Sequence, residues 1–330
     1  MPNSYISGTG YFLPENIVTN DDLSKLMDTT DEWIQERTGI CERRFIDEEM
    51  GPSDLAIPAT EMALEEAGLT IQEIDFIIFA TSTPDYYAPG SGCLLQDKMG
   101  FDTIGALDIR VQCSGFVYGI SIADQYIKSG QFTNILLIGA EVQSTAMDLT
   151  TRGRDTAVIF GDGAGAVIIS ATEEERGILS THLHSEGKHA KELWCEAPSS
   201  KISPRLSSDI LKNGSHFLLM NGREVFRNAV TRFPEVIHEA LDANGLTTDD
   251  ISLLIPHQAN TRITQMVQRR MKLEDSKVVS NIHKFGNTTA GSIPIALAEA
   301  VRDGKINRDD IIIFAAFGSG FAWASAAGKW

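Results

Sequence analysis

The feature that most restricts the fold of this 330-residue sequence is an internal repeat. The segment 63–70 matches the segment 240–247, and at the same offset the match continues from 74–78 into 251–255, with seven identities over sixteen positions. Each copy reads as an amphipathic helix, a glycine at its end, and then a short apolar strand. A chain that repeats such a unit is predicted to form an α/β fold built from two similar halves.

A second pair of segments matches at a slightly smaller offset. The stretch 122–130 matches the stretch 296–304, and both are helix-like and end in glycine. At this smaller offset Cys113 coincides with Asn287, so we expect each of them to begin the helix of an equivalent unit. If the two halves pack about a pseudo-two-fold axis, these two helix starts face each other.

His257 follows the apolar run Leu253-Leu254-Ile255-Pro256, which is predicted to be a buried strand. In α/β sheets, ligand sites form beyond the carboxyl ends of the strands. We therefore expect Cys113, His257 and Asn287 to meet in one site. Each alone has an ordinary structural explanation, because a single cysteine is most often an inert buried thiol and a single histidine a hydrogen-bonded core residue.

A thiol, an imidazole and a carboxamide together indicate acyl-thioester chemistry. A thiolate at Cys113 is a nucleophile, and a helix N-terminus is expected to lower its pKa. His257 can serve as a donor or a general base, whereas Asn287 does not titrate, so its expected use in a site is as a fixed hydrogen-bond donor. Two neutral donors on one thioester carbonyl would stabilise an enolate, which suits decarboxylation of a malonyl group followed by carbon–carbon bond formation.

Composition sets the outer limits of the prediction. The chain is long enough for a large core, and no Pro- or Ser-rich linker divides it. The charged stretch Glu173-Glu174-Glu175-Arg176 is the expected seam between a first half, 1–172, that carries the nucleophilic cysteine and a second half, 173–330, that carries the histidine and the asparagine. Residues 182–216 show little periodicity and are expected to form an irregular insertion.

Charge and cysteine content exclude several classes of protein. The net charge of −17 and the pI of about 4.8 argue against nucleic acid as the main partner. Four cysteines without paired spacing fit a reducing, cytoplasmic compartment, and the first residues lack the basic and apolar regions of a signal peptide. The uncharged stretch Ile311 to Gly328 is near the length of a membrane span, but Gly318-Ser319-Gly320 interrupts it, so we predict two buried strands around a glycine turn and no membrane partner.

These motifs resemble those of the β-ketoacyl-acyl-carrier-protein synthase III family, the initiating condensing enzymes of the thiolase superfamily, and the resemblance covers essentially the whole chain. The motifs that carry it are Thr30-Asp31-Glu32-Trp33-Ile34-Gln35-Glu36-Arg37-Thr38-Gly39-Ile40, Val111-Gln112-Cys113-Ser114-Gly115-Phe116, Phe160-Gly161-Asp162-Gly163-Ala164-Gly165-Ala166, Pro256-His257-Gln258-Ala259-Asn260-Thr261-Arg262-Ile263, Gly286-Asn287-Thr288-Thr289-Ala290 and Phe317-Gly318-Ser319-Gly320-Phe321. The resemblance implies a thiolase-like α/β fold, with two duplicated halves stacked as a five-layer αβαβα body.

The resemblance also implies a two-step reaction that initiates fatty-acid synthesis. Cys113 would take an acyl group from acyl-CoA, and malonyl-acyl-carrier protein would then enter the same site. His257 and Asn287 would hold its thioester carbonyl while CO₂ departs, and the carbanion would attack the acyl-cysteine to give a 3-oxoacyl-acyl-carrier protein. The backbone amides of Cys113 and Gly320 would form the oxyanion hole, and no metal or redox cofactor is needed.

Several binding residues follow from the same resemblance. Trp33, Arg37 and Arg154 match positions that grip the CoA nucleotide, and Asn260 matches a residue of the phosphopantetheine channel. A tryptophan face can stack on adenine, and arginines can pair with phosphates. Carrier proteins are acidic, so an acidic chain needs a local basic patch to dock one, and the candidate residues for this patch are Arg223, Arg227, Arg232 and Arg262.

The sequence departs from the family pattern at several positions. Ser319 replaces a common glycine, and the segment Phe321-Ala322-Trp323-Ala324 lacks the usual threonine and final glycine. Ala88 stands where many members carry a bulky residue that crosses a homodimer interface and closes the acyl pocket, so we predict a homodimer and a primer longer or more branched than acetyl. The glycine-rich run at 161–165 resembles a phosphate loop, but it precedes an apolar strand and is interpreted as a turn below the site.

Three other functions remain open from the sequence. A synthase III-like enzyme of secondary metabolism would use Cys113 with a different acyl donor or acceptor. A catalytically idle scaffold would bind acyl carriers, although the intact set of Cys113, His257 and Asn287 argues against it. A thiol hydrolase would require a carboxylate behind His257, and none is evident.

Overall fold

The fold is described from a computed structural model that covers residues 1–47 and 49–330. Its strands are β1 (Asn3–Phe12), β2 (Ile17–Thr19), β3 (Glu42–Arg44), β4 (Phe76–Ala80), β5 (Gly105–Ile109), β6 (Asn134–Glu141), β7 (Gly163–Thr172), β8 (Gly177–Ser185), β9 (Leu193–Trp194), β10 (Leu219–Met220), β11 (Leu253–Pro256), β12 (Ile311–Gly318) and β13 (Ala322–Lys329). Its helices are α1 (Asn20–Ser24), α2 (Asp31–Thr38), α3 (Pro52–Ala67), α4 (Ser91–Met99), α5 (Gly115–Lys128), α6 (Arg154–Ala157), α7 (Ser208–Asn213), α8 (Gly222–Ala243), α9 (Thr261–Met271), α10 (Ile282–Phe285) and α11 (Ser292–Arg302).

Two main sheets share one strand order. The first sheet runs β1-β7-β6-β4-β5, and the second runs β8-β13-β12-β11. In the first sheet β4 pairs in parallel with β6, whereas β6 with β7 and β7 with β1 are antiparallel. In the second sheet β11 pairs in parallel with β12, whereas β12 with β13 and β13 with β8 are antiparallel. The duplication predicted from the sequence is therefore present in the strand topology.

The sheets and helices stack in five layers. Helices α3 and α4 cover the outer face of the first sheet, and α8 and α9 cover the outer face of the second sheet. Helices α5 and α11 lie between the two sheets, where their apolar side chains share one core with strands of both. The αβαβα architecture expected from the sequence is confirmed.

The repeated helix–glycine–strand unit is built in the same way in both halves. Gly68 ends α3 with a φ of +67°, and Gly245 follows α8 with a φ of +65°, a backbone conformation that favours glycine. A threonine and an acidic residue three positions later then cap the short turn before each strand, Thr70 with Glu73 and Thr247 with Asp250. These local signals explain why the repeat can be read from sequence.

The expected equivalence of Cys113 and Asn287 is wrong. Helix α5 has 14 residues and α11 has 11, so the two helices are further apart in sequence at their starts than at their ends. The offset that relates the stretch 122–130 to the stretch 296–304 therefore holds only at the C-terminal ends of these helices. The backbone counterpart of Cys113 is Ala290, because the preceding residues, Gln112 and Thr289, have similar left-handed φ values of 44° and 49°.

Other sequence expectations have mixed outcomes. Strands β12 and β13 flank a glycine turn as predicted, and the glycine-rich run leads into β7 as predicted. Residues 182–185 belong to β8, so the irregular insertion begins later than expected and contains only short elements. The seam at 173–176 lies between β7 and β8, but the division into domains at residue 172 stays a prediction.

Across the described part of the chain, none of the helices is both long enough and apolar enough to cross a lipid bilayer.

Candidate active site

A cavity of about 410 Å³ brings the three predicted residues together. Cys113, His257 and Asn287 all line it, although they come from the turn before α5, the end of β11 and the loop before α11. The strand order places these segments at one edge of the central layer, beyond the carboxyl ends of β4, β6, β11 and β12. The remaining wall is mainly apolar, with Phe160, Phe226, Phe233 and Phe317 among its residues.

Cys113 is held by the backbone on both sides of it. Gln112 adopts a left-handed φ of 44°, which turns the chain sharply before α5 begins. The Ser114 hydroxyl donates a hydrogen bond to the Ala322 carbonyl across the two halves, at 2.8 Å. Gly318 packs so closely that a Cβ atom there would lie 2.6 Å from the Cys113 Cβ and 3.0 Å from its sulfur. The thiol therefore has one well-defined position.

The direction of the Cys113 pKa differs from the sequence expectation. Burial raises the pKa of the Cys113 thiol to about 12, and the nearby carboxyl of Glu141 adds to the increase. Hydrogen bonds from backbone amides act in the opposite sense but do not offset burial. The free site thus holds a protonated thiol, because the cost of removing an anion from water outweighs the helix N-terminus.

The second amide directed at the Cys113 sulfur is that of Ser319. The backbone amides of Cys113 and Ser319 are the two groups that act to lower the pKa of the thiol. Gly320, the residue expected from the sequence to form the oxyanion hole, lies one residue further along, where its φ of +84° carries the chain away into β13. The prediction of Gly320 is therefore corrected to Ser319, and the left-handed glycine serves to form the turn that aims the preceding amide.

His257 is a buried, neutral imidazole with one nitrogen directed at the cavity. Its Nδ1 lies 2.6 Å from the Ser292 hydroxyl, and its Nε2 has no partner among the described residues. Burial lowers the pKa of His257 to about 3. Donation from the Ser292 hydroxyl to Nδ1 would leave the proton on Nε2, so the ring can present a neutral N–H donor to a ligand.

Asn287 is fixed through both its backbone and its side chain. Its backbone forms a bridge with Phe160, and its amide donates to the Ile159 carbonyl at 2.9 Å. Its Oδ1 accepts a hydrogen bond from the Thr289 amide at 2.8 Å. With the oxygen engaged, the Nδ2 group is left to donate to a ligand in the cavity.

The residues predicted to bind CoA form one cluster beside the cavity. The guanidinium groups of Arg37 and Arg154 lie 4.4 and 4.7 Å from the centroid of the Trp33 ring. Asn260 caps α9 and donates from Nδ2 to the Arg37 carbonyl at 2.9 Å, which joins α2 to α9. Arg37 and Asn260 line the cavity itself, whereas Trp33 and Arg154 do not.

Of the four arginines predicted to dock a carrier protein, two line the cavity and two lie outside it. Arg223 and Arg262 line the cavity, and Arg262 lies over the Phe226 ring. Arg227 is exposed on α8 and is ion-paired with Glu224. Arg232 forms ion pairs with Glu186 and Glu235, so its charge is already neutralised. Arg37 also lines the cavity but lies 3.5 Å from Glu36, so among the described residues the unpaired positive charges of the lining are those of Arg223 and Arg262.

A second cavity, of about 520 Å³, also reaches Cys113. It is lined by the loop after β4, by residues 193–198 and by residues 216–218, together with Ser319 and Thr289. Tyr87 lines this cavity, but Ala88, predicted to belong to the acyl pocket, does not and is exposed to solvent. A role for Ala88 in an acyl pocket would therefore need a second subunit.

Several residues that support the site carry no signal in the sequence. Ser292 contacts His257 from 35 residues away, and Glu141 and Gln143 approach Cys113 from the end of β6. Their hydroxyl, carboxyl and amide groups are common residue types outside any motif. Only the topology, which brings the ends of β4, β6 and the turn before α11 together, identifies them.

Within residues 1–47 and 49–330, no group of three or more His, Cys, Asp or Glu side chains is placed to hold a metal ion.

Comparisons with known proteins agree with this geometry. Residues 107–187 match the profile described as 3-Oxoacyl-[acyl-carrier-protein (ACP)] synthase III, and residues 241–330 match the profile of its C-terminal part. The chain is 46% identical to beta-ketoacyl-[acyl-carrier-protein] synthase III of Xanthomonas campestris pv. campestris over 323 residues, which cover 98% of this chain and 97% of the relative.

Two further comparisons extend the similarity to a second organism and to a solved structure. The protein of the same name from Caldanaerobacter subterraneus subsp. tengcongensis is 46% identical over 325 residues, with 98% of this chain and 97% of the relative covered. The crystal structure of 3-oxoacyl-[acyl-carrier-protein] synthase III from Aquifex aeolicus VF5 superposes with a TM-score of 0.91 at 41% identity, over 99% of this chain and 100% of that chain.

Proposed function

Because this chain belongs to the β-ketoacyl-acyl-carrier-protein synthase III family, we propose that Cys113, His257 and Asn287 are its catalytic residues. The enzyme is an acyltransferase that condenses an acyl-CoA primer with malonyl-acyl-carrier protein, the initiating condensation of fatty-acid synthesis. The observation that carries the assignment of residues is the shared cavity, which presents a thiol, an unpartnered imidazole nitrogen and a carboxamide to one ligand. The relatives do not favour the alternative enzyme of secondary metabolism.

In the first step, the Cys113 sulfur attacks the carbonyl carbon of the acyl-CoA thioester. A carbon–sulfur bond to Cys113 forms, the bond to CoA breaks, and the CoA thiolate takes up the proton that Cys113 has lost. The amides of Cys113 and Ser319 stabilise the oxyanion of the tetrahedral intermediate. Because the free thiol has a pKa of about 12, its deprotonation is coupled to substrate binding and contributes to the barrier of this step.

In the second step, His257 Nε2 and Asn287 Nδ2 donate hydrogen bonds to the thioester carbonyl of malonyl-acyl-carrier protein. The bond between the malonyl carboxylate and its neighbouring carbon breaks, CO₂ leaves, and the electron pair forms an enolate held by the two donors. The enolate carbon attacks the acyl-Cys113 carbonyl and releases the Cys113 thiolate. With a pKa of about 3, His257 acts here as a neutral donor.

We assign CoA binding to Trp33, Arg37, Arg154 and Asn260, with carrier docking at Arg223, Arg227 and Arg262. The contacts among Trp33, Arg37 and Arg154 support a nucleotide site, since they place an aromatic face and two cations together. The unneutralised arginines of the cavity lining support docking of an acidic carrier on an acidic enzyme. The reaction as proposed uses no metal or redox cofactor.

We assign the primer chain to the second cavity, which meets the first at Cys113. Its volume of about 520 Å³ supports a primer longer or more branched than acetyl. We also propose a homodimer, since Tyr86 and Tyr87 beside Ala88 are 62% and 65% exposed in the single chain. The four free cysteines support a cytoplasmic location.

The experiment that tests the function is intact-protein mass spectrometry after mixing with acyl-CoAs from acetyl to dodecanoyl. We expect a mass gain of one acyl group in the wild type and none in Cys113→Ala, with the longer or branched primers loading faster than acetyl. Addition of malonyl-acyl-carrier protein should then discharge the acyl group and yield the 3-oxoacyl product. A preference for acetyl-CoA of about tenfold or more would contradict the primer assignment, and acylation that persists in Cys113→Ala would contradict the nucleophile.

A further inference from the structure

Glu141, the last residue of β6, is a fully buried carboxyl group beside Cys113 with no part in the reaction described above. It accepts hydrogen bonds from the Ser82 amide at 3.0 Å, the Ser82 hydroxyl at 2.9 Å, the Thr83 hydroxyl at 2.6 Å and the Ala290 amide. No cation of the described residues pairs with it. A carboxyl held only by neutral donors is costly to bury, so its retention beside a reactive thiol calls for a function.

One side of this hydrogen-bond network holds a strained turn. Thr289 has a left-handed φ of 49°, a strained conformation for a non-glycine residue that persists only when its surroundings enforce it. Gln143 donates from Nε2 to the Thr289 hydroxyl at 2.8 Å, and the same Nε2 lies 3.5 Å from Glu141 Oε2. The amide of the next residue, Ala290, is directed at the Glu141 carboxyl as well. Glu141 and Gln143 therefore contact both residues of this turn, Thr289 and Ala290.

The Thr289–Ala290 turn also sets the orientation of Asn287. The Thr289 amide donates to Asn287 Oδ1 at 2.8 Å, and this is the contact that leaves Nδ2 free for a ligand. If the turn relaxed, the Thr289 amide would rotate away and the carboxamide could turn its oxygen toward the cavity. An oxygen at that position would repel the thioester carbonyl that it should stabilise.

Burial raises the pKa of Glu141 to about 7, so near neutral pH the carboxyl is only partly ionised. Its contacts to the turn do not depend on the charge, because both protonation states keep an oxygen that accepts hydrogen bonds.

We propose that Glu141 is a positioning residue that, together with Gln143, holds the Thr289–Ala290 turn so that Asn287 presents Nδ2 to the malonyl thioester. This inference rests on the roles proposed above for Cys113 and Asn287. It predicts a loss confined to the condensation half-reaction, which general damage to the fold would not produce.

The test compares Glu141→Gln with the wild type in two separate assays. In the first, the rate of Cys113 acylation by acyl-CoA and of its alkylation by iodoacetamide is measured by mass; we expect neither rate to fall, because Asn287 takes no part in this half-reaction. In the second, pre-acylated enzyme is mixed with malonyl-acyl-carrier protein; we expect discharge to slow by roughly 10²-fold, as for loss of one donor.

Two further variants test the link to the turn and control for burial. Gln143→Ala removes the hydrogen bond to Thr289 together with the contact to Glu141, so it should also slow discharge without slowing acylation. Asp124→Asn changes a carboxyl that is 2% exposed and bonded to Ser4 and Lys128, outside both cavities, and should leave both rates unchanged.

The outcomes distinguish this inference from the proposed function. Equal losses in both assays, or no change in discharge, in Glu141→Gln would overturn the positioning role while the wild type still acylates at Cys113. A wild type that is not acylated at Cys113 by any primer would overturn the proposed function, and the role of Glu141 with it.

Discussion

At the scale of single residues, burial decides how the site behaves. His257 has a pKa of about 3 in the folded chain, whereas an unfolded histidine titrates near 6.5. Between these values the unfolded chain binds a proton that the folded chain does not, so the free energy of unfolding falls as the pH drops below about 6.5.

We therefore predict that the wild type loses more stability in acid than His257→Gln does. Between about pH 7 and about pH 5 the extra loss should be about 2 kcal/mol, from 1.36 kcal/mol per pKa unit. Urea unfolding of both proteins at the two pH values measures it. Parallel losses in the two proteins would mean that His257 is not kept neutral by the fold.

Gly318 is predicted to be essential for acylation because of the space it leaves. An alanine Cβ would lie 2.6 Å from the Cys113 Cβ, so the nucleophile would have to move. We expect Gly318→Ala to slow single-turnover acylation by roughly 10²-fold, the usual effect of a displacement near 1 Å. Gly187→Ala is the matched control, since no atom lies within 4 Å of the position that a Cβ would occupy there; acylation of Gly318→Ala at the wild-type rate would refute the argument.

The sequence predicted the proposed catalytic residues better than the residues that support them. Cys113, His257 and Asn287 stand in local motifs, and the structure brings them to one cavity. Ser319 could not be told from Gly320, because the direction of a backbone amide depends on φ and ψ, which a glycine-rich motif leaves open. Glu141 could not be found, because its burial depends on three segments that are distant in sequence.

At the scale of elements, the two copies of the repeat differ by about one helical turn. Helix α5 has 14 residues and α11 has 11, and this difference moved the sequence match away from the structural one. The stretches 122–130 and 296–304 were matched by their similar side chains and shared final glycine, which belong to the C-terminal ends of these helices. The offset is the same at Gly68 and Gly245, which follow α3 and α8, and at the starts of β4 and β11, so this part of the repeat was predictable.

Helices α8 and α9 carry two of the arginines that line the cavity, Arg223 and Arg262, and this arrangement predicts a selective effect of charge reversal. We expect Arg223→Glu and Arg262→Glu to raise the KM for malonyl-acyl-carrier protein by about tenfold, because an acidic partner would meet another acid. The KM for malonyl-CoA should change less, and the defect should shrink at high salt.

The control for these variants is Arg308→Glu, which alters an exposed arginine that pairs with Glu174 outside the cavity. Its KM for the carrier substrate should remain at the wild-type value. An equal increase in all three variants would show that net charge, and not a docking surface, governs the interaction.

At the scale of the whole molecule, the central layer joins the two halves. Helix α11 of the second half packs on β1 and β7 of the first sheet, and the core between the sheets takes side chains from both halves. Each half alone would expose one apolar face of its sheet and of its central helix to water.

We predict that residues 1–172 expressed alone do not form a stable fold. The fragment should be cleaved rapidly by protease under conditions that leave the full chain intact, and it should lack a cooperative thermal transition. Co-expression with residues 173–330 should restore resistance, because it supplies the missing layer. A protease-resistant, cooperatively melting fragment would show that the first half is an independent domain.

The left-handed residue before Cys113 occurs a second time, as Thr289 before Ala290. The same sharp bend is thus made by both copies of the repeat, once to display a nucleophile and once to anchor the loop that bears a donor. Chemical asymmetry in this protein arises from a few side chains on a nearly symmetric backbone. A change of activity within such a scaffold needs substitutions at these bends and no rebuilding of the chain path, which gives a duplicated enzyme a short route to divergence.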